Sequence, residues 1–284
     1  MKKPESKICK QNNSAMGRIK WTLVIFVICL LAAACATVPV TGRRQLSLIP
    51  GDTILSMSYQ QYDEFLKEHE LSDDQEAARM VNQVGKDIAD AVETYLKRRG
   101  MERQLQNYDW EFNLVEDEAV NAWCMPGGKV VVYTGIMPVA KNKNGLAVVM
   151  GHEIAHALAN HGNERMSQGL LVQFGAVALS EAMEQKPDAT RQLWMTAYGA
   201  GAQVGMLLPY SRIQEKEADR LGLIFMAMAG YDPREAVGFW QQMAEKKDGK
   251  SPPEFLSTHP ADDKRIAGIK QVLPEAMRYY RERK

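Results

Sequence analysis

The sequence is short of cysteine, of net charge and of long apolar runs, and each shortage closes off a class of function. Four cysteines occur in 284 residues. Cys9 and Cys29 lie in an amino-terminal segment that reads as removable and Cys35 stands at its end, which leaves Cys124 alone in the body. A fold stapled by internal disulfides is thereby excluded. Cys124 itself lies in an apolar stretch, where a small core residue is expected. Basic and acidic residues balance at 35 each. No basic stripe with interleaved aromatics occurs, which argues against a nucleic-acid partner. The body of the chain shows neither an internal repeat nor a composition break that would demand a second domain.

The charge balance hides an asymmetry. Residues 1–34 carry six basic side chains against Glu5, which leaves 29 basic and 34 acidic residues in the remainder, a net of −5. That basic stretch runs into the apolar segment Trp21–Ala34 and then Cys35. Fourteen apolar residues fall short of the roughly 18 or more that cross a bilayer but suit the core of a signal peptide. Small residues directly before a cysteine resemble a bacterial lipoprotein signal, whose cysteine is acylated after cleavage. Here Leu31 lies four residues before Cys35 and Ala32 fills the position where leucine is usual. Ala36 follows the cysteine, where an aspartate would mark inner-membrane retention. The expected location is therefore the cell envelope, on the periplasmic face of an outer membrane if the host has one. The anchor would be lipid at Cys35.

Downstream, Val38–Pro50 reads as an irregular lead. Asp52–Glu68 has helical character, and Ser72-Asp73-Asp74-Gln75 fits a capping box opening a helix with apolar positions at Met80, Val84, Ile88 and Val92. Three short β-type runs follow at 110–115, 120–125 and 129–134, with Pro126-Gly127-Gly128 as a hairpin signal. The rest reads as helices: one from Gly145, an Ala/Gly/Leu/Met-rich region from 169 to 208, then 211–229, 233–244 and a terminal helix after His259-Pro260. The charges inside 169–208 argue against a membrane span. The fold class is α+β, mostly α-helical with one small antiparallel β-sheet.

The chemistry is concentrated in His152-Glu153-Ile154-Ala155-His156. Residues four apart on an α-helix share a face, so both imidazoles can reach one cation at about 2.0–2.1 Å. Glu153 is displaced around the helix and can face a bound water instead, as a general base. A protein zinc site needs a third ligand, and His161, Glu164, Glu215, Glu217 and His259 are candidates. His161 falls half a turn out of phase with His152 on a continued helix and reads as a helix-end or supporting residue. Glu215 and Asp219 lie four apart on one face of a helix that is also apolar at Leu221, Ile224, Phe225 and Met228. One carboxylate of that pair can ligate while the other accepts the free N–H of a ligand histidine. Glu217 points about 200° away from Glu215, so the two cannot serve the same ion.

These stretches, with Ala229-Gly230-Tyr231-Asp232-Pro233 and Thr258-His259-Pro260 in the same order, resemble the HtpX/Oma-type family. Its members are zinc metalloendopeptidases of the gluzincin group, related to CAAX prenyl proteases. Pro39-Val40-Thr41-Gly42-Arg43-Arg44-Gln45-Leu46, and Asn121-Ala122 through Pro126-Gly127-Gly128, resemble its secreted lipoprotein branch. The resemblance spans about residues 38 to 274. It implies a gluzincin-type metalloprotease domain over 52–284, after a signal peptide at 1–34 and an extended lead at 35–51. It also implies one zinc ion on His152, His156 and Glu215, with Asp219 as companion. Transmembrane helices around the motif, found in integral-membrane members, are lacking here.

For a transition-state oxyanion, His259 is the expected stabiliser and Arg265 the weaker second. A second role stands open for His259, that of a zinc ligand at rest. Asn121 and Ala122 are expected on an edge strand able to pair with an extended substrate. The expected substrates are unfolded or misassembled envelope proteins. An alternative is a quality-control factor that binds such clients while its zinc site is latent, with Leu193–Leu208 as binding surface or plug.

Overall fold

The computed structural model describes residues 35–38, 40–247 and 253–283. The segment 1–34, expected as a signal peptide, and Pro39 lie outside the described residues. Within the stretch expected as an extended lead, β1 (Cys35–Thr37) and β2 (Arg44–Leu46) form a two-stranded antiparallel hairpin. Its turn is closed by Gly42 N donating to Val38 O at 2.9 Å, with Gly42 at φ +73°.

Helix α1 (Gly51–Glu68) lies on the surface, and α2 (Gln75–Lys97) is amphipathic, burying Val81, Val84, Ile88, Val92 and Tyr95. The α2 cap differs from the expected box: Asp74, not Ser72, accepts from the backbone N–H groups of Glu76 and Ala77, both at 3.0 Å. The helix therefore opens two residues later, with an aspartate at its positive end, where a carboxylate suits the helix dipole.

Three strands follow: β3 (Glu111–Val115), β4 (Ala122–Met125) and β5 (Lys129–Tyr133). β4 and β5 pair antiparallel across the Pro126-Gly127-Gly128 turn, where both glycines take φ near +90°. The sheet order is β3-β5-β4, and β3 pairs with β5 in parallel. The α+β, mostly helical class stands, but the sheet is mixed, not antiparallel throughout. Because β5 inserts between β3 and β4, it must run with one and against the other. As the central strand, β5 is buried along its whole length.

Helix α3 (Lys143–Leu158) is capped by the Asn142 side chain, and every residue from Gly145 to Leu158 is buried. A helix apolar all round belongs inside, and α3 is surrounded by α2, β4 and the later helices α6 and α7. Asn160, at φ +57°, reverses the chain into α4 (His161–Ala182), which is followed by α5 (Asp188–Ala202) and a π-helical turn at Gln203–Leu207. Then come α6 (Leu208–Ala229), ended by Gly230 at φ +94°, α7 (Glu235–Lys247) and α8 (Asp263–Arg283). Phe174, Val177, Leu193, Trp194 and Val204 on the α4–α5 region are exposed. Among the described residues, no helix is long and apolar enough to cross a membrane.

Candidate metal centre

α3 and α6 cross at two glycines. A Cβ on Gly151 would meet the Gly222 carbonyl oxygen at 2.9 Å, so the backbones touch with nothing between them. This contact aims the His152 and His156 face of α3 at the Glu215 and Asp219 face of α6. The loop before α8 adds His259, held by its own N–H to Phe255 O at 2.9 Å. His152, His156, Glu215 and His259 each offer one ligand atom, all within 4.8 Å of one another and all buried.

The spacing has a chemical meaning. Nε2 of His152 lies 3.1 Å from Nε2 of His156, 3.3 Å from a Glu215 oxygen and 3.2 Å from Nδ1 of His259. Nε2 of His156 lies 3.2 Å from the other Glu215 oxygen. Four donors on tetrahedral bonds of about 2.0–2.1 Å would stand about 3.3–3.4 Å apart. Three imidazoles and a carboxylate brought to that spacing fit a divalent cation that takes nitrogen and oxygen ligands. Asp219 accepts from Nδ1 of His152 at 3.1 Å, so Nε2 is the nitrogen that faces the cluster and would carry the lone pair once the ring is neutral.

Burial and charge set the protonation of these groups. Burial and the Arg265 charge oppose the His152 imidazolium, yet Asp219 and Glu215 outweigh them and push His152 up to about 9. Burial holds His156 well below its usual value. For Glu215 burial favours the neutral acid, but hydrogen bonds from His152, His156 and His259 keep it far down in the ionised form. Asp219 is likewise lowered, the Arg265 charge and the His152 bond overcoming burial.

Arg265 is more central than its sequence suggests. Its guanidinium lies 3.3 Å over the Trp240 ring, holds both Asp219 oxygens at 2.7 and 3.0 Å and reaches Glu215 at 3.0 Å. It does not line the cavity described next, so it braces Asp219 from behind.

A cavity of about 670 Å³ opens on the cluster, lined among others by Asn121, Ala122, Glu153, His156 and His259. Glu153 is 5% exposed and one of its carboxylate oxygens, Oε1, has no hydrogen-bond partner. Nε2 of His259 stands 3.5 Å from that oxygen. Among the described residues β4 has β5 as its one neighbour in the sheet, and Ala122 lies on it, with Asn121 just before. Asn121 is tied to the His259 loop through Glu254 at 3.3 Å. Cys124, also on the wall, is half-buried, and burial with Glu153 nearby keeps its thiol protonated. Leu207 and Leu208 reach the same wall.

Of the other candidates, neither His161, Glu164 nor Glu217 belongs to the four-residue cluster. His161 is brought back by the Asn160 reversal, so that its Nδ1 meets Nδ1 of His156 at 2.8 Å. Glu217 sits behind it, at 3.0 Å from the His161 Nε2. The signal that could have singled out Glu164 and Glu217 is their place in helices that carry buried faces.

The profile of Peptidase family M48 matches residues 79–273. The chain is 33% identical over 241 residues to the mitochondrial metalloendopeptidase OMA1 of Schizosaccharomyces pombe, covering 84% of this chain and 66% of that one. It is 28% identical over 247 residues to the mitochondrial metalloendopeptidase OMA1 of Homo sapiens, covering 84% and 46%. With the beta-barrel assembly-enhancing protease of Escherichia coli it shares 30% over 178 residues, covering 56% and 33%. The chain thus spans between about one third and two thirds of the length of these relatives.

Proposed function

Since the chain belongs to peptidase family M48, we propose that it is a zinc-dependent endopeptidase cleaving unfolded or misassembled proteins of the cell envelope. The observation that carries this is the convergence of His152, His156, Glu215 and His259 beside an unpartnered Glu153 oxygen at a cavity wall. One zinc ion would be held by His152, His156 and Glu215, and it would supply Lewis-acid activation of water and of the scissile carbonyl. Glu153 would take a proton from the attacking water on its free oxygen and hand it to the leaving amine. His259 would donate to the developing oxyanion, since it flanks Glu153 on the same wall. Asp219, braced by Arg265, would fix the His152 ring. The edge of β4 that lines the cavity at Asn121 and Ala122 would bind the substrate as an added strand, giving affinity through main-chain bonds with broad sequence tolerance.

The envelope assignment rests on the lipoprotein-type signal before Cys35, and on the name of the Escherichia coli relative, which refers to β-barrel assembly. A second reading, client binding with a latent zinc site, is favoured by Phe174, Leu193, Trp194 and Val204 standing exposed on the α4–α5 region. Glu153→Gln separates the two. It should abolish cleavage of an unstructured casein-like protein, by a factor of about 10² or more, while zinc content stays near one per chain. Cleavage at the wild-type rate would refute the base assignment.

A further inference from the structure

The hairpin that follows Cys35 ends in a buried ionic network, and that network leads to the metal centre. Arg43, the residue after Gly42, grips Glu164 with both terminal nitrogens, at 2.9 and 2.7 Å. Its Nε donates to Glu217 at 2.7 Å, and the Thr41 hydroxyl donates to the other oxygen of Glu217. Glu164 and His161 are fully buried and Glu217 nearly so. A buried carboxylate without a cation is strongly unfavourable, and besides Arg43 the partner of Glu164 is the neutral amide of Gln214 at 2.8 Å. The hairpin is seated on α4 as well, by Leu48 N to Ser167 Oγ and by Asn163 to Ile49 O, both at 2.9 Å.

The direction of each bond follows from the carboxylate at one end. Glu217 takes the Arg43 guanidinium at 2.7 Å on one oxygen and the Thr41 hydroxyl on the other, and a carboxylate paired in that way only accepts. The His161 Nε2 must therefore donate to it, which leaves Nδ1 of the neutral ring as an acceptor. That acceptor faces Nδ1 of His156, so His156 carries its proton on Nδ1 and presents an Nε2 lone pair to the cluster. Arg43, Glu217, His161 and His156 thus form a one-way chain that selects the ligating tautomer. It parallels Arg265, Asp219 and His152 on the other side of the site.

We propose that Arg43 is a positioning residue for the metal centre, acting through Glu217 and His161 on His156, so that metal affinity depends on the hairpin beside Cys35 being docked. This rests on the proposed zinc site, and it gives the Thr41-Gly42-Arg43 stretch a task that the catalytic reading leaves unassigned. The consequence is that the segment nearest the proposed anchor sets the readiness of the site.

The test measures zinc affinity of the full-length chain by chelator competition, together with the visible spectrum of its cobalt(II) form. Arg43→Met and His161→Leu should each weaken zinc about 10–100-fold and shift the cobalt bands. His161→Gln, which can still accept at one end and donate at the other, should recover much of the loss. The Arg43→Met/His161→Leu double variant should bind no more weakly than His161→Leu alone, because both act along one path. Wild-type affinity and spectrum in Arg43→Met, or fully additive losses in the double variant, would overturn the proposal. If Arg43→Met does not fold, Arg43→Lys decides on the same criteria, since one ammonium cannot bridge both carboxylates. A wild-type chain that binds no zinc would instead overturn the metal-centre reading, and this inference with it.

Discussion

A methyl group on residue 222 would lie 2.8 Å from the His152 backbone nitrogen and 2.9 Å from the Gly151 carbonyl carbon. Both are main-chain atoms of α3, so no rotamer change can relieve the clash. To regain ordinary contact α3 and α6 must part by about 0.6 Å, an overpacking that costs about 1–3 kcal/mol. Alanine in a helix interior gains about 1 kcal/mol over glycine, so Gly222→Ala should be neutral to moderately destabilising. The effect on the site should be larger. His152 and His156 ride on α3 and Glu215 on α6, with donors 3.2–3.3 Å apart across the crossing. Metal–ligand distances tolerate about ±0.2 Å, so Glu215 cannot follow a shift of that size. Zinc affinity should fall at least tenfold, about 1.4 kcal/mol, as read by chelator competition, with a thermal melt of the metal-free chain as control. A Gly222→Ala chain with wild-type zinc affinity and a raised Tm would refute the claim that this crossing sets the donor geometry.

Three further outcomes follow from the same contacts. Asp219→Asn should weaken zinc about 10–100-fold, because its amide cannot both hold Arg265 and accept from His152 as the carboxylate does; unchanged affinity in the same competition assay would speak against that role. Zinc affinity should rise with pH between about 6 and 9, since His152, pushed up to about 9 in the metal-free chain, must lose its proton to ligate. A pH-independent affinity over that window, measured in a non-coordinating buffer, would contradict the assigned protonation. Ile88→Ala, on the fully buried face of α2, should cost about 2–5 kcal/mol by denaturant unfolding without altering zinc stoichiometry.

The parts of this molecule that could be read from the sequence are those written in local periodicity. The i, i+4 spacing of His152 and His156, and of Glu215 and Asp219, placed two donor faces on two helices before any contact between them was known. Element positions on α2, β5 and α6 were likewise legible, because apolar repeats there match burial closely. The parallel pairing of β3 with β5 was not, since it depends on β5 inserting between strands that are earlier in the chain. Nor was Asp74 as the α2 cap, because Ser72 and Asp74 offer equivalent signals two residues apart and only the geometry chooses. The Arg43 network was hidden for a stronger reason. It joins residues 121 and 174 positions apart, and no local pattern marks an exposed-looking arginine as the counter-ion of two buried carboxylates.

The account stands on one arrangement, two imidazoles of α3 and a carboxylate of α6 around a single ion. Crystals of the zinc-loaded chain, measured at the zinc absorption edge, test it most directly. The expected result is one anomalous peak per chain, bonded to Nε2 of His152, Nε2 of His156 and the Glu215 carboxylate. A peak elsewhere, or Glu215 turned away from both rings, would contradict it.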